Sequence, residues 1–264
     1  MEDLHWKSGI SKVEQDKVLL RGRRIEDLIG HISYGEAVYL TLKGDLPQGH
    51  EGKIIEAILV SVIDHGPTPP SSLTARTIAS TGAELNAAVA GGILAISHFH
   101  GGAIEECLRV LQEAINFHRE NNTSVEEAAR WIVQSYRNDR RRIHGFGHRL
   151  HTRDPRSTRL FELARHWNVA GEFICMVHAV EKELGETLGK ELPINADGAI
   201  AALLGDIGFE PALADAFFMM ARVPGLVAHI YEEKTRYKPM RRIHPTDVEY
   251  DGPEERSYTN ERES

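Results

Sequence analysis

The stretch TIASTGAELNAAVAGGILAISHF, residues 77–99, is rich in alanine and glycine. Side chains this small let helix axes approach closely, so the stretch reads as a central buried helix that needs other helices around it. The rest of the chain offers them. In SVEEAARWIVQSYR, Ser124 followed three residues on by Glu127 is a capping-box pattern ahead of an amphipathic run. Asp154-Pro155 suits a helix start, with the carboxylate at the cap and proline in the first turn. Phe173, Val177, Val180 and Leu184 recur at helical spacing. EPALADAFFMMARVPGLVAHIYEEK reads as a long helix interrupted or kinked near Pro224-Gly225. Strand signals are sparse; KVLLRG would supply a short β-hairpin arm near the N-terminus. The expected class is all-α.

At 264 residues the chain holds one large domain or about two ordinary ones. A formal net charge of −8 argues against a general nucleic-acid or membrane-surface binder, which needs a broad basic field. The start MEDLHWKSGISKVEQDK is polar and shows no secretory signal. No apolar run is expected to reach the roughly 18 residues of a spanning helix. Cys107 and Cys175 lie far apart without metal-binding spacing and are expected to be reduced thiols of a cytoplasmic protein.

Three places carry chemical character. In SHFHGGAIEE, His98 and His100 precede Gly101-Gly102, which fits a tight turn at a ligand or, equally, a helix C-cap with incidental histidines. In RRRIHGFGHRLHTRDPR, His144, His148 and His151 imitate helical metal ligands. Gly145 and Gly147 break such a helix, and no carboxylate or cysteine completes a set, so no metal is expected there. From Arg137 to Arg156 stand seven arginines against two aspartates. That is either a solvated basic face or a site for a small polyanion, since the planar guanidinium suits carboxylate and phosphate. In PINADGAIAALLG, Asp197 precedes an apolar helical run, where an N-cap is the plainest role.

Taken in order, these segments resemble the citrate synthase superfamily over nearly the whole chain. LLRGRRIEDLIGHISYGEAVYLTLKGDLP is similar to its N-terminal signature, and SLTARTIASTGAELNAAVAGGILAISHFHGGA to its central helix and first catalytic loop. GFGHRLHTRDPR and NADG match its second and third catalytic segments. The resemblance implies a multi-helix fold with a large domain (residues 1–101 and 211–264) and a small domain (102–210) that closes over it. It implies carbon–carbon chemistry on a CoA thioester by His100, His148 and Asp197. His65, Arg156, Arg222 and Arg242 would bind substrate carboxylates, with Arg241 an alternative to Arg242. Gly145, Gly147, Arg149 and Arg153 would contact the CoA moiety.

The departures point within the superfamily. Synthases carry a glutamate and an asparagine where DHGPTPPSS has Gly66 and Pro69, and here His244 rather than arginine precedes Pro245. DHGP and RIHP look more like the citryl-CoA lyase module of ATP-citrate lyase. The implied activity is reversible cleavage of citryl-CoA, or a close analogue, to acetyl-CoA and oxaloacetate. Citrate or 2-methylcitrate synthesis is the nearest alternative, and a non-catalytic CoA-ester-binding regulator the third. The implied partners are a CoA ester, a dicarboxylate or tricarboxylate, and a second copy of the chain in a homodimer or larger homo-oligomer. No nucleic acid, membrane, metal or further cofactor is expected.

Overall fold

Local capping chemistry sets where several helices begin. The computed structural model describes residues 6–147, 153–242 and 248–255. Its N-terminal arm is an antiparallel meander of β1 (Ser11–Glu14), β2 (Lys17–Leu20) and β3 (Arg23–Arg24), with Val13 paired to Val18 and Leu20 to Arg23. The hairpin expected at KVLLRG is present. Eleven α-helices follow among the described residues. They are α1 (Ile25–Leu28), α2 (Tyr34–Lys43), α3 (Glu51–Ser61), α4 (Pro70–Ser80), α5 (Leu85–Leu94), α6 (Ala103–Asn121), α7 (Val125–Asn138), α8 (Pro155–His166), α9 (Glu172–Leu188), α10 (Ala196–Asp206) and α11 (Ala214–Arg236). Ser33 with Glu36 and Ser124 with Glu127 form reciprocal capping boxes on α2 and α7. Asp154 caps α8, whose first residue is Pro155. The all-α class holds.

Two expectations about the helices are corrected. The Ala/Gly stretch is not one buried helix: the chain turns at residues 81–84 to make α4 and α5. Of α5 only Ala88 and Gly92 are buried, while Leu85 and Leu94 are exposed. Its small side chains do serve close approach, since a Cβ on Gly91 would fall 2.1 Å from Ile78 Cδ1 of α4. The central buried helix is α10, where every residue from Gly198 to Gly205 is buried among α3, α6, α8 and α9. A small, apolar composition demands close packing without saying from how many sides.

The second correction concerns α11, which runs uninterrupted through Pro224. Together with the 3-10 turn before it, the span Pro211–Arg236 is long and apolar enough to cross a membrane by length and composition. The fold uses it as a core helix. Phe217, Leu226 and Ile230 are buried, and so are Arg222 and Glu233, the latter paired with Arg76 Nε at 2.8 Å. Most of the core is one apolar cluster that includes Ile54, Leu111, Ile132, Val177, Ile200 and Phe217. Each such side chain contributes about 1.5–3 kcal/mol on full burial. The cluster takes residues from both chain segments assigned above to separate domains. A smaller cluster joins α4, α5 and α11 through Ala75, Ala79, Ala88, Leu226 and Ile230.

Candidate active site

A cleft of about 770 Å³ opens between the loop before α6, the loop after α7, the first turn of α10 and the middle of α11. His65, His100, Gly145, Gly147, Arg156, Asp197 and Arg222 all line it, although they come from distant parts of the chain. His148 and Arg149 lie outside the described residues.

His100 sits in a tight turn rather than at a helix C-cap, because α5 has already ended at Leu94. Ser97 and His100 exchange backbone hydrogen bonds of 2.8 and 2.7 Å. Gly101 follows at φ +87°, and a Cβ there would stand 2.7 Å from both Ile96 and Phe218. The imidazole Nε2 is 2.9 Å from the hydroxyl of Ser71, a fully buried residue of the first turn of α4. Burial, with Arg222 and His65 nearby, lowers the pKa of the ring and keeps it neutral.

Asp197 is not the N-cap of α10. Asn195 takes that role, its side chain accepting from Gly198 N at 3.1 Å. Asp197 is left in the first turn, part of its surface facing the cleft. Burial by the surrounding walls pushes its carboxyl up to about 6; Asp215 and Asp154 add to the shift, and Arg156 and Arg222 oppose it. A carboxylic acid in that range can hold and deliver a proton near neutral pH.

The glycine-broken segment owes its shape to this helix. Gly145 has φ +89°, and a Cβ on it would meet Cys107 Sγ at 2.6 Å and Gly198 Cα at 2.9 Å. Backbone lies directly on backbone there. Asn195 N donates to Gly145 O at 3.1 Å and Gly147 N to Pro193 O at 2.7 Å. The Gly147 N–H is therefore engaged within the protein, and these glycines first of all seat the loop against Asp197.

Two arginines face the cleft in different states. Arg156 turns Nε and Nη2 onto Asp154 at 3.1 and 2.9 Å, and Asp154 also accepts from the backbone of Arg156 and Ala196. Arg222 is buried, its Nε bonded to Val62 O at 3.2 Å and its guanidinium 4.5 Å from the Phe218 ring centroid. Its Nη1 has no hydrogen-bond partner among the described residues. A buried cationic donor left unpaired at a cleft wall is suited to an anionic ligand. His65 lies beside them on a loop anchored by the Asp64–His229 contact of 2.9 Å.

Other expected residues stand apart. Arg153 is exposed and borders a separate shallow pocket with His178 and Glu181. Arg242 is exposed and does not line the cleft, while Arg241 is tied to the buried carboxylate of Glu233. Arg142 does line the cleft. Arg140, Arg141 and Lys190 rim a neighbouring pocket of about 570 Å³ floored by Phe146, Leu184 and Leu192. Sequence reasoning missed Ser71, read Asp154 only as a helix cap, and gave Asn195 no role of its own within NADG; all three act on the site through hydrogen bonds. It also missed a trio: Glu106 contacts His98 Nδ1 and His144 Nε2, both at 2.9 Å.

The family model "Citrate synthase, C-terminal domain" matches residues 47–245. "Citrate synthase" of Heyndrickxia coagulans is 30% identical over 208 residues, 76% of this chain and 52% of that protein. "Citrate/2-methylcitrate synthase" of Bacillus subtilis is 31% identical over 231 residues, 84% of this chain and 57% of that protein. The chain thus spans about half the length of these curated relatives. Among solved structures, citryl-CoA lyase from Hydrogenobacter thermophilus is 43% identical with a TM-score of 0.89, over 98% of this chain and 99% of that one. ATP citrate lyase from Methanothrix soehngenii, in complex with citrate and coenzyme A, is 22% identical with a TM-score of 0.84, over 97% of this chain and 43% of that one; this likeness concerns the fold. With a family model covering most of its length, the chain belongs to the citrate synthase family.

Proposed function

We propose that the chain is a citryl-CoA lyase, cleaving citryl-CoA reversibly to acetyl-CoA and oxaloacetate. The observation that carries this reading is one cleft uniting His100, Asp197, Arg156 and Arg222 in a chain 43% identical, end to end, to a citryl-CoA lyase. His148 takes the proton of the tertiary hydroxyl as the carbon–carbon bond breaks, a role given by the family resemblance. The electron pair of that bond passes to the thioester as an enolate. His100, neutral and held by Ser71, donates to the enolate oxygen. Asp197, raised to about 6 and so partly protonated near neutrality, delivers its proton to the enolate carbon.

Arg222, with its unpaired Nη1, and Arg156 clamp substrate carboxylates beside His65, and Arg242 completes the clamp from a neighbouring copy. The CoA moiety runs past Gly145 and Gly147 toward the arginine-rimmed pocket, with Arg149 as a further contact by the family resemblance. The reaction read this way requires no metal or redox cofactor, since the thioester itself stabilises the carbanion. Closure of residues 102–210 over the remainder would shed water from the enolate. A homodimer accords with the exposed Leu73, Leu85, Leu94, Val227 and Tyr231 on α4, α5 and α11; a monomer in analytical ultracentrifugation would refute it. A cytoplasmic location accords with the two free cysteines.

Citrate or 2-methylcitrate synthesis is the second reading, favoured by the names of the sequence relatives. The deciding experiment incubates the pure protein with citryl-CoA, and separately with acetyl-CoA or propionyl-CoA plus oxaloacetate. Chromatography then follows CoA and oxaloacetate. Acetyl-CoA plus oxaloacetate from citryl-CoA is expected. Free CoA from the condensation mixture assigns the synthase reaction instead, and no turnover in either mixture leaves a binding protein.

A further inference from the structure

We propose that His98, Glu106 and His144 form a binding site for a divalent transition-metal ion of the zinc class, separate from the acid–base groups of the cleft. The reading of His144 with His148 and His151 failed for want of a carboxylate. Tertiary structure supplies one from elsewhere. Glu106 stands on the first turn of α6, His98 in the turn that carries His100, and His144 next to Gly145. One carboxylate oxygen of Glu106 lies 2.9 Å from His98 Nδ1 and the other 2.9 Å from His144 Nε2. All three ligand atoms fall within 4.8 Å of one another.

Ligand atoms around a tetrahedral zinc at about 2.0–2.1 Å stand roughly 3.3 Å apart. The Glu106 distances are within about half an ångström of that value. The exposed His98 side chain, carried on a turn, is the ligand with the most freedom to adjust toward that spacing. Two imidazoles and a carboxylate suit zinc, cobalt or nickel rather than magnesium or calcium, which prefer all-oxygen shells. His98 and His144 both line the cleft, so an ion held by them would stand at its wall.

The surrounding charge neither creates nor forbids the site. Glu105, Asp215, Arg109, Arg141 and Arg142 border the same hollow, where Arg109 is held by Glu105 and Arg141 stacks on Tyr136. Affinity must come from coordination itself. A bound ion would cross-link the His100 turn to the Gly145–Gly147 loop, fixing two walls of the cleft relative to each other.

The test is calorimetric titration of chelator-treated protein with Zn²⁺, alongside Co²⁺ titration read by visible d–d absorption. Glu106→Gln and His144→Ala are compared with wild type. His98→Ala, on an exposed turn, serves as the variant with least risk to folding, and His178→Ala removes a histidine from an unrelated His–Glu pair as control. One ion per chain is expected, with a tetrahedral Co²⁺ spectrum. Each ligand substitution should weaken binding by at least about 10–100-fold, and His178→Ala should leave it unchanged. No saturable binding at micromolar Zn²⁺ overturns the proposal, as does unchanged affinity in Glu106→Gln and His98→Ala. None of these readouts depends on turnover, so they stand whether or not the lyase reaction is found.

Discussion

Replacing Asp154 by alanine should loosen two helix N-termini and release an arginine in one step. Its side chain is 1% exposed and accepts from Arg156 N, Nε and Nη2 and from Ala196 N, at 2.9–3.1 Å. Losing the cap of α8 costs about 1 kcal/mol. Leaving Ala196 N–H buried without an acceptor costs about 1–3 kcal/mol more. The Arg156 side chain is 28% exposed, so the ion pair itself adds little beyond this. The sum is about 2–4 kcal/mol, which for a chain of this size lowers Tm by roughly 5–15 °C.

The pH dependence has a definite sign. The Arg156 guanidinium and the backbone donors hold the Asp154 carboxyl below its ordinary 3.8 despite burial. A depressed folded-state value contributes stability above the unfolded-state value, lost as pH falls through the folded one. Thermal melts across acidic pH should therefore show wild type converging on Asp154→Ala as pH falls below about 4. If citryl-CoA is the substrate, its KM should rise more than kcat falls, because Arg156 is positioned rather than removed. A Tm within one or two degrees of wild type at neutral pH would refute the reasoning.

Asp197→Asn should abolish turnover yet stabilise the fold at neutral pH. Its carboxyl is raised to about 6 from 3.8, so ionisation above that value costs the folded state. The variant should gain about 1–3 kcal/mol at pH 7–8, an advantage that fades as pH falls toward 4, measured by thermal melts. Ser71→Ala should leave the His100 nitrogen unpaired and lower kcat by roughly 10–100-fold, with a shifted pH–rate profile. Unchanged kcat and profile would show that Ser71 does not position the ring.

The sequence by itself determined the helical class, several helix starts and the identity of the chemical segments. Those signals are local: Ser124 and Glu127 meet within one turn, and Asp154-Pro155 opens α8 from adjacent residues. His65, His100, Asp197 and Arg222 were legible as motif residues, and the structure brings them to one cleft. What the sequence could not carry is depth and distance. Two Ala/Gly-rich helices look alike, yet α10 is buried among α3, α6, α8 and α9 while α5 packs chiefly on α4 and α11, because burial depends on what folds around a helix. Asp197 reads as a cap until Asn195 is seen to take that hydrogen bond, which leaves the carboxyl for the cleft. Only tertiary structure seats Ser71 on His100, stacks Gly145 on Gly198 and sets Glu106 between His98 and His144. These are contacts of a few ångströms between residues far apart in the chain, and no local pattern of side chains encodes them.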